Sequence, residues 1–319
     1  MIRLWFIVWL ALCAGVAAAQ NAEVPARIEA AFADWLETRG VNTNALAVTY
    51  RGKVVHLGGN APTQRFEMAS LGKAITAACL TNLSRAGRLS LDDTLADHLD
   101  RPLPPKLAAL TLSGLLTHSA GLWPDSTQKD MPQWLGDPRP RHADVLTRVL
   151  TRGKPGKPSG KFRYNNENYA LLGEVIARAS GQSYREYCRA SVLAQYPSAR
   201  VSPDMGAFDA WGGWQLTVSD YARFHARTFA PRAQNPATLP HAPAYGPGIF
   251  YGMGTTWRAF GAGHNFWHLG LLCMEDGQAG AYAVLWENGW GVTLAWDACV
   301  PWEAFFELDA ALTSATFEP

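Results

Sequence analysis

Charged residues are scarce in this sequence, and the common metal and redox motifs are missing. Asp, Glu, Lys and Arg make up 17% of its 319 residues, and the formal net charge is +1. Such a chain has no basic surface for nucleic acid. It contains no His-Glu-x-x-His or Cys-x-x-Cys sequence, and its cysteines are too widely spaced for a paired zinc ribbon. We therefore expect no metal, no cofactor and no nucleic-acid partner.

Long apolar runs are confined to the start of the chain. Arg3 precedes "LWFIVWLALCAGVAAA", residues 4–19, which ends in three alanines before Gln20. A charged start, an apolar stretch and a small-residue end are typical of a secretory signal peptide. The run is shorter than the roughly 20 residues that a membrane span needs, although an uncleaved anchor is the alternative. We expect residues 1–19 to be removed, leaving a periplasmic or secreted chain with no membrane span.

Four cysteines follow this leader. Export permits disulfides, and Cys273 with Cys299 is the pair that we expect first. Cys79 and Cys188 each lie inside a helical pattern, where a buried cysteine commonly stays a free thiol. The sequence therefore predicts one disulfide near the C-terminus and two unpaired thiols.

Strand patterns occur at both ends of the chain and helical patterns lie between them. The strands are predicted at 45–50, 54–58, 266–274, 280–288 and 290–298, with helices at 24–38, at 70–86 and after Pro301. This order predicts an α+β fold. Residues 20–86 and 245–319 would form a mixed lobe with an antiparallel sheet, and residues 87–244 a mainly helical lobe. A small-molecule or peptide site is expected in the cleft between them.

Two Ser-x-x-Lys spacings occur in the chain. Ser70 and Lys73 begin the apolar helix, where three residues make nearly one turn and place both side chains on one face. A lysine kept from bulk water loses part of its preference for the charged form and can activate a serine. Ser126 and Lys129 lie in a polar turn without an apolar run. Since composition alone gives roughly 0.3 such matches, the spacing needs support from other segments.

Other segments supply that support by resemblance. Residues 66–78 resemble the Ser-x-x-Lys helix of serine β-lactamases and penicillin-binding proteins. Residues 159–184 resemble the second signature of the class C β-lactamase-like family, with its Tyr-x-Asn element at residues 164–166. The third signature is best met by residues 268–270, "HLG". The family includes D,D-peptidases, D-aminopeptidases and esterases, and the resemblance covers nearly the whole mature chain. It implies the serine β-lactamase/D,D-peptidase-like fold.

The resemblance also implies catalytic roles. Ser70 would attack a carbonyl to form an acyl-enzyme that water then hydrolyses. Lys73 and Tyr164 would share the proton transfers, and which of them is the base at each step stays open. Asn166 would hydrogen-bond the substrate or Lys73.

The remaining implied residues lie on the predicted strand 266–274. Backbone N–H groups of Ser70 and Leu271 would form the oxyanion hole. His268 would border the cleft and hydrogen-bond towards Tyr164, and Gly270 would line the substrate site.

Departures from the family pattern narrow the substrate. No lysine follows Lys161, so a Lys-Thr-Gly strand is impossible, and Leu269 has no hydrogen-bond donor for a substrate carboxylate. Four tryptophans near the cleft-forming segments would suit an apolar acyl group: Trp123, Trp211, Trp214 and Trp267. We therefore expect an exported serine hydrolase acting on an ester or amide, with esterase, D,D-peptidase or D-aminopeptidase relatives.

Two alternatives stay open at this point, together with the oligomeric state. One is a β-lactamase, or a penicillin-binding protein of the same fold without turnover. The other is an α/β-hydrolase using Ser119, because "THSAG" at residues 117–121 approaches the Gly-x-Ser-x-Gly sequence. His118 in that segment is interpreted as a structural histidine.

Overall fold

A seven-stranded antiparallel sheet joins the two ends of the chain. The computed structural model describes residues 23–233, 240 and 242–318, so the predicted leader at residues 1–19 lies outside the described part. The strands are β1 Asn44–Tyr50, β2 Lys53–Gly58, β3 Phe66–Glu67, β4 Arg200–Val201, β5 Trp214–Leu216, β6 Ile249–Gly252, β7 Thr255–Phe260, β8 Gly263–Met274, β9 Gly277–Leu285 and β10 Trp290–Trp296. The large sheet has the order β2-β1-β10-β9-β8-β7-β6, and β3, β5 and β4 form a small second sheet.

Eleven α-helices are described, and most of them lie between the two groups of sheet strands. They are α1 (residues 23–36), α2 Gly72–Arg85, α3 Leu95–His98, α4 Pro105–Ala108, α5 Leu112–Leu116, α6 Thr127–Asp130, α7 His142–Arg152, α8 Asn166–Ser180, α9 Tyr184–Cys188, α10 Val218–Phe229 and α11 Ala304–Phe317. No helix among the described residues is long and apolar enough to cross a membrane.

The two faces of the large sheet bury different cores. On one face, Val292 and Leu294 of β10 pack with apolar residues of α1 and α11. The Trp35 indole also donates a hydrogen bond to the Ala304 carbonyl at 2.9 Å, which ties these two helices together. On the other face, alternate strand residues such as Ala281 and Ala283 join the large core that includes α2, α8 and α10. Alternation along each strand thus separates a helix-covered back face from a front face that meets the helical region.

The predicted α+β architecture is confirmed. β1 pairs with β10 over its whole length, from Asn44 opposite Trp296 to Tyr50 opposite Trp290, so the sheet is built from both ends of the chain as expected. Its antiparallel strands also exclude the parallel sheet of the α/β-hydrolase alternative. Residues 245–254 are rich in glycine, which predicts a loop at the edge of the cleft, but the structure places the short strand β6 among these glycines.

Two disulfides are present, so the prediction of free thiols at Cys79 and Cys188 is wrong. These cysteines pair with each other and link α2 to α9, while Cys273 pairs with Cys299 as expected. Both Cys79 and Cys188 are fully buried. Their helical patterns predicted the burial, but docking of two helices 109 residues apart brings the sulfurs together.

We predict that Cys79→Ala/Cys188→Ala lowers the free energy of unfolding by about 3–5 kcal/mol, because the bond closes a long loop of the unfolded chain. Urea unfolding of the oxidised protein measures the loss. The matched control is Cys273→Ala/Cys299→Ala, which opens a shorter loop and should cost less. Non-reducing peptide mapping that finds Cys79 or Cys188 as a free thiol would contradict the pairing.

Candidate active site

Ser70 lies in a constrained turn at the start of α2. Ala69–Leu71 form a single 3-10 turn, and the α-helix continues from Gly72. Ala69 has a φ of +44°, a left-handed conformation that is unfavourable for a residue with a side chain. Such strain is characteristic of functional sites, where surrounding structure holds one residue in place. The turn leaves Ser70 half-buried at the positive end of a 14-residue helix.

Lys73 is completely buried beside Ser70. Its Nζ lies 3.0 Å from Ser70 Oγ and donates a second hydrogen bond to the Trp211 carbonyl at 2.9 Å. Nζ also lies 4.8 Å from the centre of the Tyr164 ring. Burial lowers the pKa of Lys73 to about 7, although the charge of Asp125 opposes this shift. A substantial share of the lysine is therefore neutral near pH 7 and able to accept a proton.

The second Ser-x-x-Lys spacing has a different environment. Ser126 lies before the short helix α6, and the Lys129 side chain is exposed. An exposed ammonium is surrounded by water and lacks the enclosed environment that Lys73 has beside Ser70. Burial of the lysine therefore distinguishes the two matches.

The carbonyl that holds Lys73 belongs to a loop with buried anchors. Asp209 begins this loop. Its carboxylate accepts a hydrogen bond from His142 Nε2 at 2.5 Å and forms an ion pair with Arg185. Thr76 of α2 donates to the neighbouring Ala210 carbonyl at 2.7 Å. These contacts fix the Trp211 carbonyl relative to the helix that carries Lys73.

Tyr164 faces Ser70 from the start of α8. Its hydroxyl forms a hydrogen bond with Ser70. The protein around the phenol excludes water and so raises its pKa, although 36% of the residue is exposed to the cleft. Its ring lies 4.4 Å from that of buried His118. Behind it, the Asn165 side chain caps α8 by accepting from the Glu167 N–H at 2.7 Å. The structure therefore groups Ser70, Lys73 and Tyr164 in one site.

Asn166 lines the cavity and, of its two predicted partners, the substrate and Lys73, it does not hydrogen-bond Lys73. Its Nδ2 donates to Thr127 Oγ1 at 3.1 Å rather than contacting Lys73, whose second partner is the Trp211 carbonyl. Its Oδ1 is buried and has no hydrogen-bond partner among the described residues. A buried amide oxygen without a partner is suited to accept a hydrogen bond from a substrate.

His268 borders the cleft as predicted, but its hydrogen bonds differ from those expected. Nε2 lies 3.2 Å from the Tyr251 hydroxyl rather than bonding Tyr164, whose ring centre is 6.1 Å away. Nδ1 lies 2.5 Å from the Leu269 carbonyl, so it carries the proton and Nε2 accepts from Tyr251. Burial, with the nearby charge of Lys73, lowers the pKa of His268 to about 3. His268 is therefore a neutral wall of the cleft.

The C-terminal part of β8, after Trp267, has an unpaired edge that faces the cleft. Among the described residues, β7 pairs with β8 only from Gly263 to Trp267, while β9 covers the opposite edge as far as Met274. The Trp267 carbonyl points to the β7 side, where it accepts from Thr255 at 3.1 Å. Because backbone groups of alternate residues point to the same edge, the Leu271 N–H points into the cleft. This orientation suits the predicted oxyanion hole.

Gly270 allows β8 to approach the nucleophile. A Cβ at this position would lie 2.7 Å from the Met68 carbonyl oxygen, 2.9 Å from the Ala69 Cβ and 3.1 Å from the Ser70 nitrogen. Any side chain would push the strand away from the Ser70 turn. The glycine therefore sets the separation of the two N–H groups of the predicted oxyanion hole.

The cavity around Ser70 is large and mostly apolar. It has a volume of about 740 Å³, and none of the described residues that line it is Asp, Glu, Lys or Arg. Trp211 and Trp267 line it as expected, whereas Trp214 is buried in the core and Trp123 is outside the lining. Tyr245 and Tyr251, from the segment expected at the cleft edge, also line the cavity, whereas the sequence did not point to four further lining residues: Met131, Phe162, Trp302 and Phe306.

Asp125 is a further residue of the site that the sequence did not suggest. Its carboxylate accepts from the Asn166 N–H at 2.9 Å and the Thr127 N–H at 3.0 Å, and its charge raises the pKa of both Lys73 and Tyr164. In sequence it reads only as an aspartate in a polar turn. Its proximity to Lys73 arises when α8 and the turn before α6 come together.

A family model matches most of the chain. The model of the Beta-lactamase family matches residues 27–298. By sequence, the chain is 31% identical over 129 residues to Protein flp of Staphylococcus aureus (strain MW2), covering 40% of this chain and 25% of that protein. The chain thus spans about a quarter of the length of this relative.

The fold is similar to that of two solved proteins. An octameric penicillin-binding protein homologue from Pyrococcus abyssi has a TM-score of 0.71 and 21% identity, with 90% of this chain and 77% of that one covered. The D-amino acid amidase from Ochrobactrum anthropi SV3 has a TM-score of 0.71 and 20% identity, with coverage of 90% and 99%. At such identities the likeness shows the fold.

We predict that Asp125→Asn shifts the rise of kcat/KM with pH to lower pH by up to about one unit. If neutral Lys73 is the base, activity increases as pH rises through its pKa of about 7, and loss of the Asp125 charge lowers that pKa further. Rates of p-nitrophenyl acetate hydrolysis between pH 5 and 9 test this. Asp144→Asn on α7 is the matched control, and an unchanged or upward shift in Asp125→Asn would contradict the assignment.

We also predict that Gly270→Ala lowers kcat at least about 100-fold, the typical effect of losing one oxyanion donor. The matched control is Gly72→Ala, two residues after Ser70, where a Cβ would meet its nearest neighbours at an ordinary 3.7 Å. The control should keep its rate. Equal rates in the two variants would show that the approach of β8 to Ser70 does not matter.

Proposed function

This chain belongs to the Beta-lactamase family, and we propose that it is an exported serine hydrolase that forms an acyl-enzyme on Ser70 and hydrolyses an uncharged ester or amide. The observation that carries this proposal is the buried Lys73, whose Nζ lies 3.0 Å from Ser70 Oγ and whose pKa is lowered to about 7. A buried lysine without a carboxylate bonded to it is costly to fold, which favours a chemical role for it.

In the proposed acylation, Ser70 Oγ attacks the substrate carbonyl carbon while its proton passes to the neutral Nζ of Lys73. The resulting oxyanion accepts hydrogen bonds from the N–H groups of Ser70 and Leu271. The bond to the leaving group then breaks, and the leaving group takes the proton that Lys73 holds. This transfer restores the neutral lysine and leaves Ser70 as an ester.

Tyr164 relays protons in this scheme. Because burial raises the pKa of its phenol, it stays protonated near neutral pH and is a poorer first base than Lys73. Its hydroxyl, bonded to Ser70, can donate to the leaving group while it accepts from Lys73. In deacylation a water attacks the acyl carbon, passes its proton along the same groups and releases the acid from Ser70.

The composition of the cleft supports uncharged substrates. A terminal carboxylate buried without a cation is strongly disfavoured, and the described lining contains no lysine or arginine. Leu269 likewise contributes no donor at the middle of the third signature. An ester or an amide without a free carboxylate fits these walls better than a D-Ala-D-Ala peptide or a penicillin.

Export is supported by cysteine chemistry. All four cysteines after the leader form disulfides, which persist in oxidising compartments. Together with the apolar residues 4–19, this favours a periplasmic or secreted enzyme.

Labelling and a substrate panel test the proposal. A fluorophosphonate should modify Ser70, as mapped by mass spectrometry, and the label should be lost in Ser70→Ala but kept in the control Ser126→Ala. Among p-nitrophenyl acetate, nitrocefin, D-amino-acid amides and a D-Ala-D-Ala peptide, the ester should react fastest.

Two results would overturn the proposal in different ways. A label that persists on another serine in Ser70→Ala removes the nucleophile assignment. Dominant D-Ala-D-Ala cleavage, or a stable penicilloyl adduct without turnover of any substrate, removes the substrate assignment and favours a penicillin-binding protein.

A further inference from the structure

We propose that an apolar shelf on the back of β8 binds an uncharged, medium-length hydrocarbon chain of the substrate, a specificity that rests on the proposed hydrolase function. The shelf is formed by six residues that line the same cavity as Ser70: Trp267, Leu269, Leu271, Cys273, Trp302 and Phe306.

The open edge of β8 connects the shelf to the nucleophile. His268 and Gly270 face the front of the sheet, where Gly270 meets the Ser70 turn. Leu269 and Leu271 alternate with them and face the back, beside the core under α1 and α11. No described strand pairs with this stretch on its cleft side. A substrate chain can therefore cross the edge from Ser70 to the back face without displacing backbone hydrogen bonds.

The outer half of the shelf is unusually exposed for aromatic residues. Trp302, just before α11, is 54% exposed, and Phe306, in the first turn of α11, is 65% exposed. The same helix packs on the sheet through Phe305 and Leu308. Their rings are 6.4 Å apart in an edge-to-face arrangement. Apolar surface at the wall of this cavity is exposed to water. When a hydrocarbon covers it, the burial of that surface favours binding.

The fold holds the two halves of the shelf together. Cys273 belongs to β8, and its partner Cys299 lies three residues before Trp302. The disulfide therefore fixes the strand half relative to the segment that carries the aromatic half. A preformed surface of this kind binds a chain with little cost of ordering.

The chemistry and position of the shelf identify its occupant. No described residue lining the cavity is an acid, a lysine or an arginine, so the surface favours an uncharged chain. Because the shelf is continuous with the cavity at Ser70, a chain attached to the reacting carbonyl would reach it. A protein partner docked there would instead obstruct the catalytic cleft.

Binding to a variant without the nucleophile tests the shelf separately from turnover. In Ser70→Ala, octanoyl p-nitroanilide should bind at least about 50-fold more tightly than acetyl p-nitroanilide, since each buried methylene contributes up to about fourfold. Adding Trp302→Ala/Phe306→Ala should reduce this ratio to below about fivefold. Adding Leu57→Ala, which changes a 41% exposed residue on the far edge strand β2, should leave it unchanged.

Turnover and mass measurements separate the possible failures. If the native enzyme hydrolyses p-nitrophenyl acetate but Ser70→Ala binds both anilides equally, the shelf proposal is wrong and the hydrolase proposal stands. If chain-length selectivity in binding is present but no ester turns over, the hydrolase proposal fails alone. If Trp302→Ala/Phe306→Ala changes only the oligomeric mass in light scattering, the shelf is an interface between copies and the proposal is overturned.

Discussion

The candidate active site depends on the burial of one amino group, that of Lys73. Lys73 is enclosed by the front core, and its Nζ has two close partners, the Ser70 hydroxyl and the Trp211 carbonyl. Removing a charge from water is costly unless the group becomes neutral, and this is why the pKa of Lys73 falls to about 7. The surrounding structure must therefore tolerate a lysine that gives up its proton, and in the proposed mechanism the same property activates Ser70 as the nucleophile.

Three neighbouring elements contribute groups to the site around Ser70 and Lys73. The loop anchored at Asp209 supplies the carbonyl for Lys73, and the start of α8 supplies Tyr164. Through Gly270, β8 lies close to the Ser70 turn, with the Leu271 N–H pointing into the cleft. The edge of β8 after Trp267 pairs with no described strand and is open to the cleft. Each element contributes one group, so the site exists only when the sheet and the helical region are packed together.

The periodicity of the sequence predicted those features of the fold and the site that depend on neighbouring residues in the chain. The helical spacing of Ser70 and Lys73, the strand carrying His268 and the pairing of the chain ends follow from periods of 3.6 and 2 residues. The hydrogen bond of His268 did not follow, because its partner Tyr251 lies on β6, a short strand concealed among glycines. The Cys79–Cys188 bond and the place of Trp302 at the cleft depend on how distant helices dock, which one sequence does not encode locally.

The most direct measurement of the central claim is the titration of Lys73 itself. The protein has seven lysines, and carbon-13 NMR of lysine labelled at Cε reports the protonation of each side chain. We predict one signal with a midpoint near pH 7 that disappears in Lys73→Arg, while the other six signals remain in that variant. A spectrum in which every lysine stays charged up to about pH 10 would contradict it.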